Sequence, residues 1–214
     1  MLFSDLVGST SLAERLDPEV LDAIMGAYHD LARRAIERNG GTVAASQGDG
    51  AIGMFGLPTA HEDDAARAAR AGLDLIGGLD GLEPAAGHGI ALEARVGIEA
   101  GELLSDLAKA TSGTLPSDVL NTAARLQSAA SPGTILAGET AAHLLRGAAT
   151  LQPLPPLRLK GKAELVAVVQ VLAVEPGARR PSSSPFVAGS GTSRGSTVRW
   201  MSRPRTEHRS SSRS

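Results

Sequence analysis

The triplet Gly48-Asp49-Gly50 stands between two short apolar segments, Val43 to Gln47 and Ala51 to Phe55. Glycine on either side of the acid permits the positive φ that a tight turn requires, so the two segments read as a hairpin with Asp49 at its tip. A second acidic turn precedes it. Leu2 and Phe3 lead to Asp5, and Val7-Gly8-Ser9-Thr10 then opens a helix, which makes a strand ending in a carboxylate beside a helix N-terminus. Two carboxylates plus the backbone N–H groups of Gly8, Ser9 and Thr10 suit Mg²⁺ and a polyphosphate, because magnesium prefers a few carboxylates with substrate phosphates completing its octahedron. Either motif alone is ordinary turn chemistry.

The rest of the chain alternates helical and strand periodicities. Asp17-Pro18 starts a helix in which Val20, Leu21, Ile24, Met25, Tyr28, Leu31, Ala35 and Ile36 recur at three- and four-residue spacing down to Arg38, and Asn39-Gly40-Gly41 ends it. After the hairpin, Glu62, Asp63 and Asp64 favour a helix start, and Ala65, Ala69, Leu73 and Ile76 carry it towards Leu79. A long loop is expected from Gly77 to Gly89. Leu92 to Glu99 alternates as a half-buried strand, with Gly101 to Leu107 as its expected hairpin partner and a loop from Leu107 to Pro116. Ser117 to Ala130 reads as a helix, Thr134 to Ala137 as a strand, Glu139 to Leu145 as a short helix and Leu165 to Val174 as an apolar strand. This order, β-α-β-β-α-β-β-α-β, is an α+β arrangement: a ferredoxin-like βαββαβ core with extensions. An all-α or doubly wound parallel fold does not accommodate hairpins this early.

Composition sets the outer limits. There is no cysteine, which excludes a disulfide framework or thiolate metal site and suits a reducing, cytoplasmic compartment. No apolar run approaches the roughly 20 residues of a membrane span. The net charge of −2 hides an asymmetry: from 175 to 214 there are eight Arg against two Glu, a surplus of +6 that leaves −8 for the preceding part. That segment is rich in Ser and poor in apolar groups, so it is expected to be a disordered tail (175–214) behind a folded domain (1–174). The five histidines show no paired metal-ligand spacing, and neither a G-x-S-x-G elbow nor a P-loop is present.

A third stretch decides between turn chemistry and a site. In Ser117-Asp118-Val119-Leu120-Asn121-Thr122-Ala123-Ala124-Arg125-Leu126, Asn121 and Arg125 share one helix face. FSDLVGST, QGDG…MFG and SDVLNTAARLQ, in this order, resemble the class III adenylate/guanylate cyclase catalytic domain from Met1 to about Val174. The resemblance implies that the ribose 3′-hydroxyl of a purine nucleoside triphosphate attacks its own α-phosphate and expels pyrophosphate, with ATP expected ahead of GTP. It implies two Mg²⁺ or Mn²⁺ ions per site, held by Asp5 and Asp49 with the Leu6 carbonyl. It makes Asn121 the ribose-positioning group and Arg125 the transition-state cation. Lys160 would bind the terminal phosphates and Thr114 would face the base, while Gly8, Ser9 and Thr10 would contact the phosphates. It further implies a homodimer with shared active sites, acting in intracellular signalling. The lack of a long apolar run argues against a membrane partner, and the basic tail, with Trp200 its one Trp or Tyr and no motif, argues against a nucleic-acid partner.

The chain departs from that pattern at two places. The lysine that reads adenine in purine-selecting members is here Ala45, and Ser117 stands where glycine is usual. A catalytically weak or inactive nucleotide-binding or dimerisation module therefore stays open as the alternative. The family's first strand begins a few residues before Met1, so the chain is expected to start inside it. RRPSSSPFV, from Arg179, resembles the linker by which such domains join an ATPase module in multidomain regulators. Residues 188–214 do not continue that resemblance and are expected to carry no selected function.

Overall fold

The computed structural model describes residues 1–82, 90–101, 117–159 and 164–175, all within the unit Met1–Pro181. The chain runs β1 (Leu2–Leu6), α1 (Ser9–Arg15), α2 (Pro18–Arg38), β2 (Thr42–Gln47), β3 (Gly50–Met54), α3 (Asp64–Gly78), a 3₁₀ turn (Leu79–Leu82), β4 (Ala94–Ile98), α4 (Ser117–Ala129), β5 (Ile135–Gly138), α5 (Glu139–Leu145), β6 (Ala149–Leu157) and β7 (Val166–Val174). The strands form one sheet in the order β2-β3-β1-β4-β5-β7-β6. Among the described strands only β4 and β5 pair in parallel, as the intervening α4 crossover requires.

Strand alternation divides the side chains between two faces. Leu2 and Leu6 of β1, Ala94, Val96 and Ile98 of β4, and Ile135 and Ala137 of β5 pack with Ile24, Tyr28, Ala69 and Leu75 from α2 and α3 in the larger core. On the opposite face Leu126 and Ala130, at the end of α4, meet Leu136, Leu159 and Val168 in a smaller one. The centre of the sheet is thus covered on both sides, which is why β5 is buried at every position. Glycines make the covering close. A Cβ on Gly97 would lie 2.1 Å from the Ala123 carbonyl oxygen, so the α4 backbone rests directly on β4. Gly53 leaves the space that Ile36 of α2 fills.

The α+β architecture and the hairpin match the sequence-based expectation, and so do α2 and α5 residue by residue. Three details differ. Asp17 takes the N-cap position but makes no capping side-chain hydrogen bond, so Pro18 and the apolar face carry the start of α2. The loop expected from Gly77 begins later, because α3 reaches Gly78 and the 3₁₀ turn continues to Leu82, where Leu79 is buried. β6 was not foreseen: Pro153, Pro155 and Pro156 read as loop residues, and they are tolerated because β6 is an edge strand. The strand expected at Gly101 to Leu107, the loop up to Pro116 and the tail from 176 lie outside the described residues.

Candidate functional site

The site is built where β1 ends. Ser4 is fully buried and anchors the strand one residue before the acid: the Tyr28 hydroxyl donates to Ser4 Oγ at 3.0 Å, and Ser4 Oγ donates to the Ala51 carbonyl at 3.4 Å. With Ser4 turned towards α2, Asp5 faces the α4 side. Gly8, at φ 72°, turns the chain into α1 and delivers Ser9, whose hydroxyl donates to the Asp49 carboxylate. Gly48, at φ 64°, shapes the hairpin tip that carries Asp49. The Leu6 N–H donates to the Asp49 carbonyl at 3.0 Å, and Asp5 pairs with Gly50 across β1 and β3. Gly50 is required there, since a Cβ would approach the Ser4 carbonyl to 3.1 Å.

The two carboxylates are therefore held side by side, and their acidities split. Burial and the neighbouring Asp49 charge push the Asp5 carboxyl up to about 6, against the opposing pull of a Gln127 hydrogen bond and the Arg95 charge. The Ser9 hydrogen bond holds Asp49 below the usual carboxylate range. One raised and one lowered acid is the signature of two like charges sharing a space. Such a pair invites a cation, and an all-oxygen donor set selects a hard one such as Mg²⁺ or Mn²⁺. Among the described residues no cluster of three or more His, Cys, Asp or Glu side chains could hold a metal. An ion on Asp5 and Asp49 would need further ligands from a substrate, which is how Mg²⁺ accompanies phosphates.

The other expected residues are placed as follows. Leu6 has its side chain in the core, so only its carbonyl is available to the site. Thr10 is exposed at the start of α1. Asn121 is exposed and Arg125 half-buried, on α4. No described hydrogen bond or ion pair joins either of them to Asp5 or Asp49. Ala45 is exposed on β2 in the rung Ala45, Ile52, Phe3, Gly97, on the sheet face that Asp5 shares. None of its rung partners is a cation. Lys160 and Thr114 lie outside the described residues. A cleft of about 450 Å³ at the far end of β4 is lined by Glu99, Asp118, Thr122, Glu139 and Glu164 among others, and includes neither Asp5 nor Asp49. Its carboxylates repel a polyphosphate, so it is no substitute for the carboxylate pair.

Sequence reasoning missed Arg95 and Gln127, which flank Asp5 in space. Arg95 is the cross-strand partner of Asp5 in β4, and its Nε is buried without a hydrogen-bond partner. Gln127, 4 % exposed, donates from Nε2 to Asp5 Oδ2 at 3.2 Å. Alternation in β4 could have put Arg95 opposite the core face, but the β1–β4 register that brings it to Asp5 is set by contacts distant in sequence.

A sequence profile described as the adenylate and guanylate cyclase catalytic domain matches residues 1–171. In structure, the chain is similar to the adenylyl cyclase CyaB from P. aeruginosa, with a TM-score of 0.70, 26 % identity and coverage of 84 % of this chain and 93 % of that one. It is similar to the guanylyl cyclase Cya2, with a TM-score of 0.69, 27 % identity and coverage of 82 % and 92 %. The guanylate cyclase domain of RhGC from Catenaria anguillulae, solved with GTP, shares the fold at a TM-score of 0.69 and 24 % identity, over 81 % and 95 % of the two chains. An uncharacterized protein of Rhizobium meliloti (strain 1021) is 32 % identical over 143 residues, which are 65 % of this chain and 14 % of that protein. The chain spans about a seventh of that relative's length. Among the described residues no helix is long and apolar enough to cross a membrane.

Proposed function

Because the chain belongs to the adenylate and guanylate cyclase catalytic domain family, we propose that it converts a purine nucleoside triphosphate, ATP ahead of GTP, to its 3′,5′-cyclic monophosphate and pyrophosphate. The observation that carries this reading is the carboxylate pair Asp5 and Asp49, fixed by Ser9 and by the Leu6 to Asp49 backbone bond. In the reaction the 3′-oxygen bonds to the α-phosphorus, the bond from that phosphorus to the bridging oxygen breaks, and pyrophosphate leaves with that oxygen. Asp5 and Asp49, with the Leu6 carbonyl, would hold Mg²⁺ or Mn²⁺. Bound there, such ions lower the pKa of the attacking hydroxyl and offset charge on the phosphates.

The remaining roles belong to backbone and side-chain groups of this sequence. The N–H groups of Gly8, Ser9 and Thr10 at the start of α1 receive phosphate oxygens. Asn121 orients the ribose, and the fork of Arg125 matches the phosphate oxygens as charge develops. Since Asn121 and Arg125 make no described contact with the carboxylates of their own chain, the reading is completed by a homodimer in which each site takes Asp5 and Asp49 from one chain and Asn121 and Arg125 from the other. The protein would then serve intracellular signalling. A second reading, a nucleotide-binding module with little turnover, draws on Ala45, which leaves the base without a charged reader.

The test is an assay of purified protein with ATP or GTP and Mn²⁺, following cyclic nucleotide. Asp49→Ala and Arg125→Ala are each expected to be inactive, and mixing them is expected to restore part of the rate through heterodimers with one intact site. Activity absent from the wild type at every protein concentration would favour the module. An active wild type whose mixed mutants form heterodimers without activity would refute the shared site.

A further inference from the structure

More informative than the larger recesses and acidic groups is the buried side-chain amide of Gln127, which closes the α4 motif. Resting on the cyclase reading above, we propose that Gln127 is a positioning residue that holds Asp5 in the orientation needed to receive the divalent cation. Around Gln127 the buried side of α4 and the residue after it are apolar at Ala123, Leu126 and Ala130, each no more than 4 % exposed, with Thr122 the other buried polar residue. A leucine or methionine at 127 would serve packing equally well, while an amide is costly to bury unless it is hydrogen-bonded. The amide has a firm partner at one end. Its Nε2 donates to Asp5 Oδ2 at 3.2 Å, while its Oε1 lies 3.2 Å from the Ser128 hydroxyl, whose single proton is shared with the Ala124 carbonyl at 3.0 Å. An ionised carboxylate only accepts, so the amide nitrogen is the end that faces it.

The fold makes this contact possible through Gly97. A Cβ there would meet the Ala123 carbonyl oxygen at 2.1 Å and the Gln127 backbone nitrogen at 2.4 Å, so glycine lets the α4 backbone lie on β4 at Gln127. β4 pairs with β1 so that Gly97 opposes Phe3 and Arg95 opposes Asp5, which puts Asp5 one same-face rung from the point where α4 touches the sheet. Gln127 occupies Oδ2 and leaves Oδ1 on the side of Gly50 and the hairpin tip. Loss of the amide frees the carboxylate to rotate, and partners that orient metal-ligating groups are typically worth about 10–100-fold in metal affinity.

The experiment compares wild type, Gln127→Met, Gln127→Ala and Asp49→Asn. Mn²⁺ binding is read by the electron paramagnetic resonance of the free ion, with and without a non-hydrolysable ATP analogue, and metal-free melting is measured alongside. Gln127→Met keeps volume and helix preference but removes the donor. It is expected to melt with the wild type in the absence of metal, to bind Mn²⁺ about 10–100-fold more weakly, and to raise KM for the Mn²⁺–nucleotide complex. Gln127→Ala is expected to show the same loss of affinity. Equal Mn²⁺ affinity in wild type and a folded Gln127→Met overturns the role of Gln127 and leaves the carboxylate site standing. Mn²⁺ binding that is absent from the wild type, or unaffected by Asp49→Asn, overturns the metal site itself and this role with it.

Discussion

Asp5 and Asp49 differ by 44 positions in sequence and by little in chemistry, yet the fold gives them opposite acidities. The consequence is a defined pH dependence. Folded Asp5 keeps its proton up to about 6, whereas an unperturbed carboxyl releases it near 3.8. Between those values the folded state binds more protons than the unfolded one, so stability of the metal-free protein should fall as pH rises through this window. Cation affinity should rise over the same range, as the ligand sheds its competing proton. Carboxyl ¹³C NMR of the metal-free protein should find one acid titrating near 6, absent from Asp5→Asn. If every aspartate titrates in the ordinary range, the two carboxylates are not pressed together as described. Under Asp5 lies the hydroxyl pair of Tyr28 and Ser4. Tyr28→Phe leaves Ser4 one partner short in the core and should cost about 1 kcal/mol, a drop in Tm of roughly 2–4 °C. Tm by calorimetry checks it.

Among the elements, those whose signals are local were legible beforehand. The Gly48-Asp49-Gly50 turn specifies its own hairpin, and α2 declares itself by Pro18, its apolar stripe and the closing glycines. β6 was illegible because prolines report on the absence of an N–H, not on whether that N–H would have faced a neighbour; only the sheet order shows that it need not. Asp5, Asp49, Asn121 and Arg125 were legible as motif residues. Gln127 was not, although it closes the same motif, because its partner is chosen by the seating of α4 on Gly97 and by the β1–β4 register. The hairpin also carries a prediction about selectivity. Ala45 lies in the rung of Ile52, Phe3 and Gly97, none of whose side chains can hydrogen-bond a purine edge. Sites that reject analogues by factors of about 10⁴–10⁵ do so with buried polar groups. The kcat/KM ratio for ATP over GTP is therefore expected within about tenfold, and Ala45→Lys is expected to raise it. A wild-type ratio above about a thousand would mean that another group reads the base.

At the scale of the molecule, the described residues pack into two cores. Both cores among the described residues are drawn from Leu2 to Val171, and the Ser- and Arg-rich composition beyond Pro176 offers little to add to them. Deleting residues 176–214 should leave Tm unchanged within a degree or two and retain any cyclase activity. A larger fall in a thermal melt would assign the tail a place on the folded domain.

The proline-bearing edge has a consequence for solubility. A sheet grows when a free margin offers a row of N–H and C=O groups to an incoming strand. Pro153, Pro155 and Pro156 interrupt that row on β6, so this margin offers fewer N–H donors to an incoming strand. The opposite margin, β2, has no proline from Thr42 to Gln47. The two described margins are thus guarded differently, β6 by its prolines and β2 by the register shift between Val43 and Ala45.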